Sequence, residues 1–298
     1  MTRKQSILVT GANGQLGQSF QKVASGYSGY EFTFVQRDTL DFSQAESIAS
    51  YFQSHNFDYI INCAAYTAVD KAEEESVLAE AINHHAVKQL AEIAKADNSV
   101  FIHISTDYVF NGAEHRPYVE HDMVSPQSVY GASKLRGEQA IQAVSPEGCI
   151  IRTSWVYSEF GRNFLKTMLM LGKQRDALTV IFDQVGTPTY ATDLAIAIMQ
   201  VAEKNSNIQA LNKGIEIYHF SNEGVCSWYD FAQTIFSMAN IDCAVSPIET
   251  KDYPTPAVRP HYSVLNKSKI KQDYSINIPY WRDSVQECLN VLAKEKIV

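Results

Sequence analysis

Residues 6–18 read SILVTGANGQLGQ, a short apolar run followed by a glycine-rich turn and a helix-forming segment. The glycines stand at Gly11, Gly14 and Gly17, a spacing typical of loops that bind a dinucleotide. Gly11 allows a tight turn, Gly14 lets the backbone approach a pyrophosphate, and Gly17 allows close packing of helix on strand. The N-terminus of the following helix favours phosphate charge. The stretch therefore predicts a strand, a nucleotide-binding loop and a helix over residues 15–25; a glycine turn without a ligand is the alternative.

Four further apolar runs follow the first, at residues 31–35, 58–62, 100–104 and 149–153, with amphipathic helical segments between them. Runs this short and this apolar are typical of parallel strands buried on both faces. Alternating strands and helices imply right-handed crossovers and a doubly wound sheet. We therefore predict an α/β fold with a doubly wound parallel sheet of the Rossmann-like type.

Two helices can be placed between the strands, over residues 43–54 and 79–95. In the first, Ser43 and Glu46 have the spacing of a capping box, in which each side chain bonds the other residue's backbone N–H.

Beyond about residue 155 the alternation weakens. The pattern there predicts a helix over residues 163–171, a strand over 215–220, a helix opened by Ser227, and an extended, proline-rich loop over 250–270. We predict an NAD(P)-binding domain over residues 1–155, with re-entry of the chain after 155 allowed for, and a smaller mixed α/β lobe over 156–298 that mainly binds substrate.

The composition excludes several classes of protein. At 298 residues and 45% hydrophobic composition the chain can bury a substantial core. A net charge of −8 argues against nucleic acid as a partner, because a phosphate backbone requires clustered lysine and arginine. The first apolar run is too short for a signal segment or a membrane span, so we expect a cytoplasmic protein. The five cysteines are far apart and form no Cys-x-x-Cys pair, which indicates reduced thiols.

The residues after the second run bear on the choice of cofactor. An acidic residue at this point would bind both ribose hydroxyls, but the sequence has Gln36 and Arg37. A guanidinium suits a 2′-phosphate, so NADPH is favoured and NADH remains possible. Asp38 and Asp41 could instead serve the ribose or adenine, and Arg37 could be a solvated surface charge.

Polar residues follow the fourth run, where Ser105, Thr106 and Asp107 stand in sequence. The carboxyl ends of strands in a doubly wound sheet face the ligand crevice. We therefore expect these residues at the nicotinamide end of the cofactor.

The segment SVYGASKLRGEQ, residues 128–139, places Tyr130 and Lys134 on one face of a helix that Ser125 and Pro126 are predicted to open. A nearby ammonium stabilises a phenolate, so Lys134 is expected to lower the pKa of Tyr130. Tyr130 could then protonate a carbonyl oxygen as hydride reaches its carbon, with Thr106 sharing a hydrogen bond. The alternative is a packing helix on which the lysine stem lies along apolar surface.

The glycine loop, the Ser-Thr pair and the Tyr-x-x-x-Lys stand in the order and spacing seen in extended short-chain dehydrogenase/reductases. Seven collinear segments, which span nearly the whole chain, more specifically resemble the dTDP-4-dehydrorhamnose reductase family. They are ILVTGANGQLGQ, NCAAYTAVDKAEEE, STDYVFNG, YGASKLRGE, RTSWVY, DQVGTPTYATDLA and YPTPAVRPHYSVLN. The resemblance implies an NAD(P)H-dependent oxidoreductase that reduces the 4-keto group of dTDP-4-dehydro-6-deoxy-L-mannose to dTDP-L-rhamnose, in the biosynthesis of cell-surface polysaccharide.

The resemblance also implies the roles of individual residues. Thr106, Tyr130 and Lys134 take the catalytic roles, and Lys134 also holds the nicotinamide ribose. With the glycine loop and Arg37 included, the predicted cofactor site comprises Gly11, Asn13, Gly14, Gln15, Leu16, Gly17, Arg37, Asp41, Phe42, Ala64, Ala65, Tyr66, Tyr130 and Lys134. The predicted substrate site comprises Val69, Thr106, Asp107, Trp155 and Arg259.

Two of the residues predicted to bind substrate could instead have a purely structural role. Trp155 offers a sugar a flat apolar wall but could be an ordinary core aromatic. Arg259 could pair with a diphosphate or form a structural ion pair. Cys63 and Asn83 are interpreted as core packing and backbone support.

The same segments bear on the activities of neighbouring enzyme families. Nucleotide-sugar dehydratases carry an Asp-Glu pair after the threonine, whereas here Tyr108 follows Asp107. A related epimerase remains an alternative, as does a non-catalytic NADP-binding protein resembling the regulatory subunit of methionine adenosyltransferase. Some reductases of the family dimerise through magnesium held by glutamates. This sequence has Gln18, Ser19 and Thr192 where such residues are expected, so we predict no metal and leave open a homodimer formed without one.

Overall fold

A computed structural model describes residues 3–207 and 215–294 of the chain. The strands are β1 Gln5–Thr10, β2 Tyr30–Val35, β3 Tyr59–Asn62, β4 Val100–Thr106, β5 Gly148–Thr153, β6 Val156–Tyr157, β7 Ala177–Ile181, β8 Val185–Gly186, β9 Thr189–Tyr190, β10 Ile215–His219, β11 Cys226–Ser227 and β12 Ala244–Ile248.

The α-helices are α1 Gln15–Val23, α2 Ala45–Phe52, α3 Val69–Ala72, α4 Ser76–Glu80, α5 Ala86–Asp97, α6 Val129–Val144, α7 Phe164–Gln174, α8 Ala191–Asn207, α9 Trp228–Ala239, α10 Ser268–Tyr274 and α11 Trp281–Lys294. Single 3₁₀ turns occur at Ala24–Gly26, Asp107–Val109 and Thr250–Asp252, and a π-helical turn at Ala81–His85 joins α4 to α5.

Six strands form one parallel sheet in the order β2-β1-β3-β4-β5-β10. The first five are the five apolar runs of the sequence, and β3 is buried over its whole length. Burial on both faces explains their continuous hydrophobicity. The predicted α/β fold with a doubly wound parallel sheet is confirmed.

Helices cover both faces of the sheet. On one face Ile7, Val9 and Ile102 pack in a cluster with Leu194 of α8 and Ile270 of α10. On the other face Leu8 and Phe101 pack with residues of α2, α5 and α6, among them Ile48, Leu90 and Ile141. Successive side chains of a strand point to opposite faces of the sheet, so each strand contributes residues to the hydrophobic core on either face.

The chain returns to the main sheet after residue 155. The sixth strand, β10, pairs with β5 from Ile215↔Gly148 to His219↔Arg152, and α8 covers the sheet. A separate core of α7, α9 and α11 with β7 and β12 forms the second lobe, centred on Phe231, Trp281 and Val285. The division into an NAD(P)-binding domain over residues 1–155, with possible re-entry, and a substrate lobe over 156–298 stays a prediction.

Two predicted helix starts are wrong. Helix α2 begins at Ala45, and Ser43 makes no capping box, because its N–H and hydroxyl both donate to Asp41 Oδ1 at 2.9 and 2.7 Å. Helix α6 begins at Val129 rather than at Pro126, with Ser128 as N-cap. At α2 the Ser43 side chain is engaged by Asp41, and at α6 the Ser128 hydroxyl accepts from the Gly131 N–H at 3.1 Å and so fixes the later start.

Other helix ends follow the sequence closely. Asn163 caps α7 by accepting from the N–H of Lys166 at 3.0 Å. Ser227 opens α9 in a reciprocal capping box with Asp230. After the 3₁₀ turn at Thr250–Asp252, the proline-rich segment runs without helix or long strand to α10, as predicted, held by bridges Tyr118↔Leu265 and Val185↔Tyr262. Among the described helices, none is long and apolar enough to cross a membrane.

Candidate active site

A cavity of about 1000 Å³ lies at the carboxyl ends of β1, β3, β4 and β5. The end of a parallel sheet is where doubly wound folds bind ligands. Its walls contain all but two of the residues predicted to bind cofactor or substrate: Gly11, Asn13, Gly14, Gln15, Leu16, Arg37, Asp41, Phe42, Ala64, Ala65, Tyr66, Val69, Thr106, Asp107, Tyr130, Lys134 and Trp155. The two predicted residues outside this wall are Gly17 and Arg259.

The glycine loop has the conformation that its sequence demands. Gly11 has φ +66°, and a Cβ there would lie 2.8 Å from the Ala64 nitrogen. A Cβ on Gly17 would lie 2.3 Å from the Gly11 oxygen, so Gly17 serves close packing beneath the cavity. Gly14 is the N-cap of α1, and no side chain occupies the helix N-terminus. The first backbone N–H groups of α1 are therefore available to an anion.

The end of β2 presents a charged pair at the far end of the cavity. Arg37 is largely exposed and its Nε lies 3.4 Å from Asp41 Oδ2. Asn13 bonds Gln36 across the same edge. Arg37 and Asp41 thus line the same end of the cavity, where either could contact a ligand. The guanidinium remains accessible from solvent.

Tyr130 is buried, and the hydroxyl of Thr106 lies near enough to act on the pKa of its phenol. Burial raises the pKa of Tyr130 to about 12, the nearby Thr106 hydroxyl acts to lower it, and the charge of Asp107 acts to raise it. The expectation that Lys134 makes this phenol more acidic is therefore wrong for this structure, because burial dominates.

Lys134 lies one turn beyond Tyr130 and is 1% exposed. Its Nζ donates to the Ile104 carbonyl at 2.7 Å and lies 3.2 Å from His103 Nε2. Burial lowers the pKa of Lys134 to about 8, against the opposing influence of Glu138 and Cys63. The lysine is thus fixed to the end of β4, at the floor of the cavity.

Asp107 is buried beside Tyr130 with part of its hydrogen-bonding capacity unused. Thr106 donates to Oδ1 at 3.0 Å, whereas Oδ2 has no hydrogen-bond partner. Burial raises the pKa of Asp107 to about 7, although nearby hydroxyls of Thr106 and Ser263 act to lower it. A free carboxylate oxygen facing a cavity suits a ligand hydroxyl.

Asn83 supports the cavity wall as predicted. It accepts from the N–H of Tyr66 at 2.9 Å, donates to the oxygen of the same residue at 3.0 Å, and donates to Ser133 of α6. Cys63, in contrast, lines the cavity and is not only a packing residue.

Trp155 stands at the junction with a second cavity of about 700 Å³. Its backbone has φ +49°, and its ring stacks on Trp228 with centroids 3.6 Å apart. Trp228, Phe164, Arg175 and Tyr253 line the second cavity and were not anticipated from the sequence. Their positions depend on tertiary contacts between α7, α9 and the proline-rich segment, for which the sequence carried no local signal.

Arg259 also lines the second cavity. It forms a two-pronged ion pair with Asp70 at 2.9 and 2.6 Å. The ion pair noted as an alternative is therefore present in this structure, and the predicted contact with a diphosphate stays a prediction.

One group of possible metal ligands lies away from both cavities. Glu80, His84 and His85 offer ligand atoms within 4.8 Å of one another. Both oxygens of Glu80 already accept from Arg136, so this cluster is an ion-pair network. That the protein binds no metal stays a prediction.

The parallel sheet, the glycine loop and the Tyr130–Lys134 pair at one cavity define the class of short-chain dehydrogenase/reductases. Within this class, the family described as RmlD substrate binding domain matches residues 5–294. The chain belongs to this family.

Named relatives agree with the family assignment. The dTDP-4-dehydrorhamnose reductase of Aggregatibacter actinomycetemcomitans is 42% identical over 287 residues, which cover 94% of this chain and 97% of that one. The solved dTDP-4-dehydrorhamnose reductase of Clostridium acetobutylicum is 40% identical with a TM-score of 0.90, covering 97% of this chain and 99% of that one. That of Bacillus anthracis, solved in complex with NADP, is 35% identical with a TM-score of 0.90, covering 97% and 100%.

Proposed function

We propose that this protein reduces the 4-keto group of dTDP-4-dehydro-6-deoxy-L-mannose to give dTDP-L-rhamnose, with NADPH as the reductant. The family and the printed names of its relatives support this substrate. The observation that carries the proposal is the common cavity, in which a glycine loop with a free helix N-terminus faces Tyr130, Thr106 and Lys134.

The residues present fit the cofactor. The uncapped N-terminus of α1 suits a pyrophosphate, and the exposed Arg37 suits a 2′-phosphate. Ala64, Ala65 and Tyr66 offer a wall for the nicotinamide half. When bound there, NADPH supplies the hydride that reaches the carbonyl carbon.

Tyr130 supplies the proton for the carbonyl oxygen. With burial raising its pKa to about 12, the phenol carries its proton at neutral pH, as a donor must. The Thr106 hydroxyl lies near the same phenol and can align the carbonyl oxygen toward it. Lys134 holds the nicotinamide ribose, and Val69, Asp107 and Trp155 form the sugar site.

The second cavity suits the nucleotide part of the substrate. Phe164, Trp228 and Tyr253 offer aromatic faces for a base, and Arg175 and Arg259 offer positive charge for a diphosphate. A guanidinium carries five N–H donors, so Arg259 retains some while paired with Asp70.

The experiment is to mix the purified protein with NADPH and the dTDP-keto sugar and follow NADPH absorbance. We expect NADPH loss that is matched by dTDP-rhamnose formation. Tyr130→Phe should keep the affinity for NADPH and lose turnover by about 10²–10⁴-fold, because general acid catalysis contributes that much. Saturable binding of both ligands without NADPH loss would indicate a non-catalytic binding protein instead, and near-normal turnover of the variant would remove Tyr130 from its role.

A further inference from the structure

An arginine between β6 and α7 lines the first cavity and was not among the residues predicted from the sequence to bind there. Arg162 belongs to the wall of this cavity, with Gly161 and Asn163 on either side of it in the chain. The residue is exposed. Among residues 3–207 and 215–294 its side chain forms no ion pair and no hydrogen bond. A guanidinium in this state is available to a ligand that carries negative charge.

The segment that carries Arg162 has a defined backbone conformation. The N–H of Phe160 donates to Ser158 Oγ at 3.1 Å, and the side-chain amide of Asn163 donates to the Ser158 carbonyl at 2.8 Å. Gly161 has φ +59°, which turns the chain just before the arginine. Bonds on both sides therefore fix the backbone from which the Arg162 side chain extends.

This segment lies against the glycine loop. The side-chain oxygen of Gln15, the first residue of α1, accepts from Ser158 Oγ at 3.0 Å and from Asn163 Nδ2 at 2.9 Å. A Cβ on Gly161 would lie 3.5 Å from Gln15 Cγ. Arg162 thus follows a residue that lies beside the first turn of α1, where the helix N-terminus suits a pyrophosphate.

The N-terminus of α1 cannot balance the charge of a pyrophosphate alone, since it contributes about half an elementary charge. The other cationic side chains of the described cavity wall are Arg37, Lys71 and Lys134. Arg37 follows β2 at the far end of the cavity, and Lys71 belongs to α3. Lys134 donates to the Ile104 carbonyl on the floor. Arg162 is therefore the cation of this wall that lies beside the glycine loop.

The charges close to Arg162 in the chain are already paired with one another. The carboxylate of Glu159 is buried and accepts from Lys22 Nζ at 2.6 Å and from the Tyr190 hydroxyl at 3.0 Å. Lys166 Nζ donates to the backbone oxygen of Glu159 at 2.9 Å. The acidic neighbour therefore does not neutralise Arg162, and the two lysines are held away from the role of an anion ligand.

We propose that Arg162 binds the pyrophosphate of NADPH from the side opposite the N-terminus of α1. A guanidinium presents parallel N–H donors that match two phosphate oxygens. The contact does not involve the 2′-phosphate, so Arg162 contributes equally to NADPH and NADH, in contrast to Arg37. The segment that leads into the second lobe thereby takes part in holding the cofactor. This inference rests on the use of NADPH in the proposed function and not on which sugar is reduced.

The diphosphate of the dTDP-sugar offers the same chemistry as the pyrophosphate of the cofactor. Arg162 lies in the wall of the first cavity, whereas the second cavity, which suits the nucleotide of the substrate, begins with Phe164 of α7 and has Arg175 and Arg259 in its wall. The position of Arg162 therefore favours the cofactor as its ligand, and separate titrations can distinguish the two.

The test is to titrate Arg162→Ala with NADPH and NADH by fluorescence, and with dTDP by calorimetry. We expect about tenfold weaker binding of both reduced cofactors, because a charge-assisted contact to phosphate is lost, and unchanged binding of dTDP. Arg162→Lys keeps the charge without the planar fork and should recover part of the lost affinity.

Lys173→Ala is the control, because it removes the same charge from the last turn of α7 at a position in the wall of neither cavity. It should change none of the three affinities. Unchanged binding of both cofactors to Arg162→Ala, weakening of NADPH alone, or weakening of dTDP as large as that of the cofactors would overturn the proposal. A wild-type protein that binds neither cofactor would overturn the proposed function as well, whereas the other outcomes leave the proposed reduction standing.

Discussion

Tyr130 keeps its proton because its surroundings disfavour a phenolate. Burial outweighs the opposing influence of the Thr106 hydroxyl on the phenol, and the adjacent Asp107 acts in the same direction as burial. Lys134 directs its Nζ to Ile104 and lies beside His103. In the ligand-free protein, the lysine is therefore engaged with the strand rather than dedicated to making the tyrosine acidic.

Asp107 is predicted to make the free energy of unfolding depend on pH. Its folded pKa is raised to about 7 by burial, so the folded state binds more protons than the unfolded state between pH 4 and 7. Stability attributable to this group is thus lost as the pH rises through that window. Asp107→Asn should match the wild type below about pH 4 and exceed it by about 2–4 kcal/mol above pH 7.

Denaturant unfolding of both proteins across this pH range checks the effect of Asp107. A difference between the two proteins that does not vary with pH would show that Asp107 titrates normally. The variant should also bind the sugar less well, because the free carboxylate oxygen is lost.

Arg37 is predicted to favour binding of NADPH over NADH. Loss of a charge-assisted contact to a phosphate costs about 1.5 kcal/mol, so Arg37→Ala should weaken NADPH binding about tenfold and leave NADH binding unchanged. Fluorescence titration of both cofactors measures this. Arg3→Ala, which removes an exposed charge paired with Asp58 beyond the other end of β1, is the control; equal weakening of both cofactors by Arg37→Ala would contradict the assignment.

At the scale of elements, the glycine loop depends on contact between α1 and the end of β1. Gly17→Ala would place a Cβ 2.3 Å from the Gly11 oxygen, and both partners are backbone that cannot move aside cheaply. We expect a loss of about 3 kcal/mol or more in stability and loss of cofactor binding.

Gly26→Ala is the matched control for Gly17→Ala, because a Cβ at Gly26 has nothing within 4 Å. It should change stability by less than about 0.5 kcal/mol. Urea unfolding and NADPH titration check both variants. A Gly17→Ala protein that binds NADPH normally would mean that the loop does not require this close packing.

The glycine loop is also tied to the second lobe. The amide of Gln15 accepts from Ser158 at 3.0 Å and from Asn163 at 2.9 Å, and it donates to the Val156 carbonyl at 3.3 Å. Asn163 caps α7, which lines the second cavity. One side chain of the glycine loop thus holds the segment over residues 156–163, which leads into the helix that lines the second cavity.

Across the whole molecule, the sequence predicted those features that depend on residues close together in the chain. The apolar runs predicted the five strands, and the glycine spacing predicted the loop, because both depend on neighbouring residues. The pairing of β10 with β5 and the stacking of Trp228 on Trp155 join distant segments. No local pattern specifies such contacts. The strand over 215–220 was predicted from the sequence, but neither its place beside β5 in the main sheet nor the second cavity could be.

The same contrast holds for electrostatics. The four-residue spacing of Tyr130 and Lys134 correctly placed both on α6. The spacing could not predict how deeply Tyr130 is buried, although burial determines the pKa of its phenol. It also could not predict that His103 of β4 contacts Lys134. At the start of α2, Asp41 engages Ser43, a rearrangement that the capping spacing alone does not predict.

The central claim is that one cavity holds a reduced nicotinamide against a sugar carbonyl that Tyr130 protonates. The most direct measurement is to supply NADPH that is deuterated at the transferable position of C4 and locate the label in the product by mass spectrometry and NMR. We expect one deuterium on C4 of the sugar ring, and almost no labelled product with Tyr130→Phe. Deuterium at another carbon, or an unlabelled product formed at the normal rate, would contradict it.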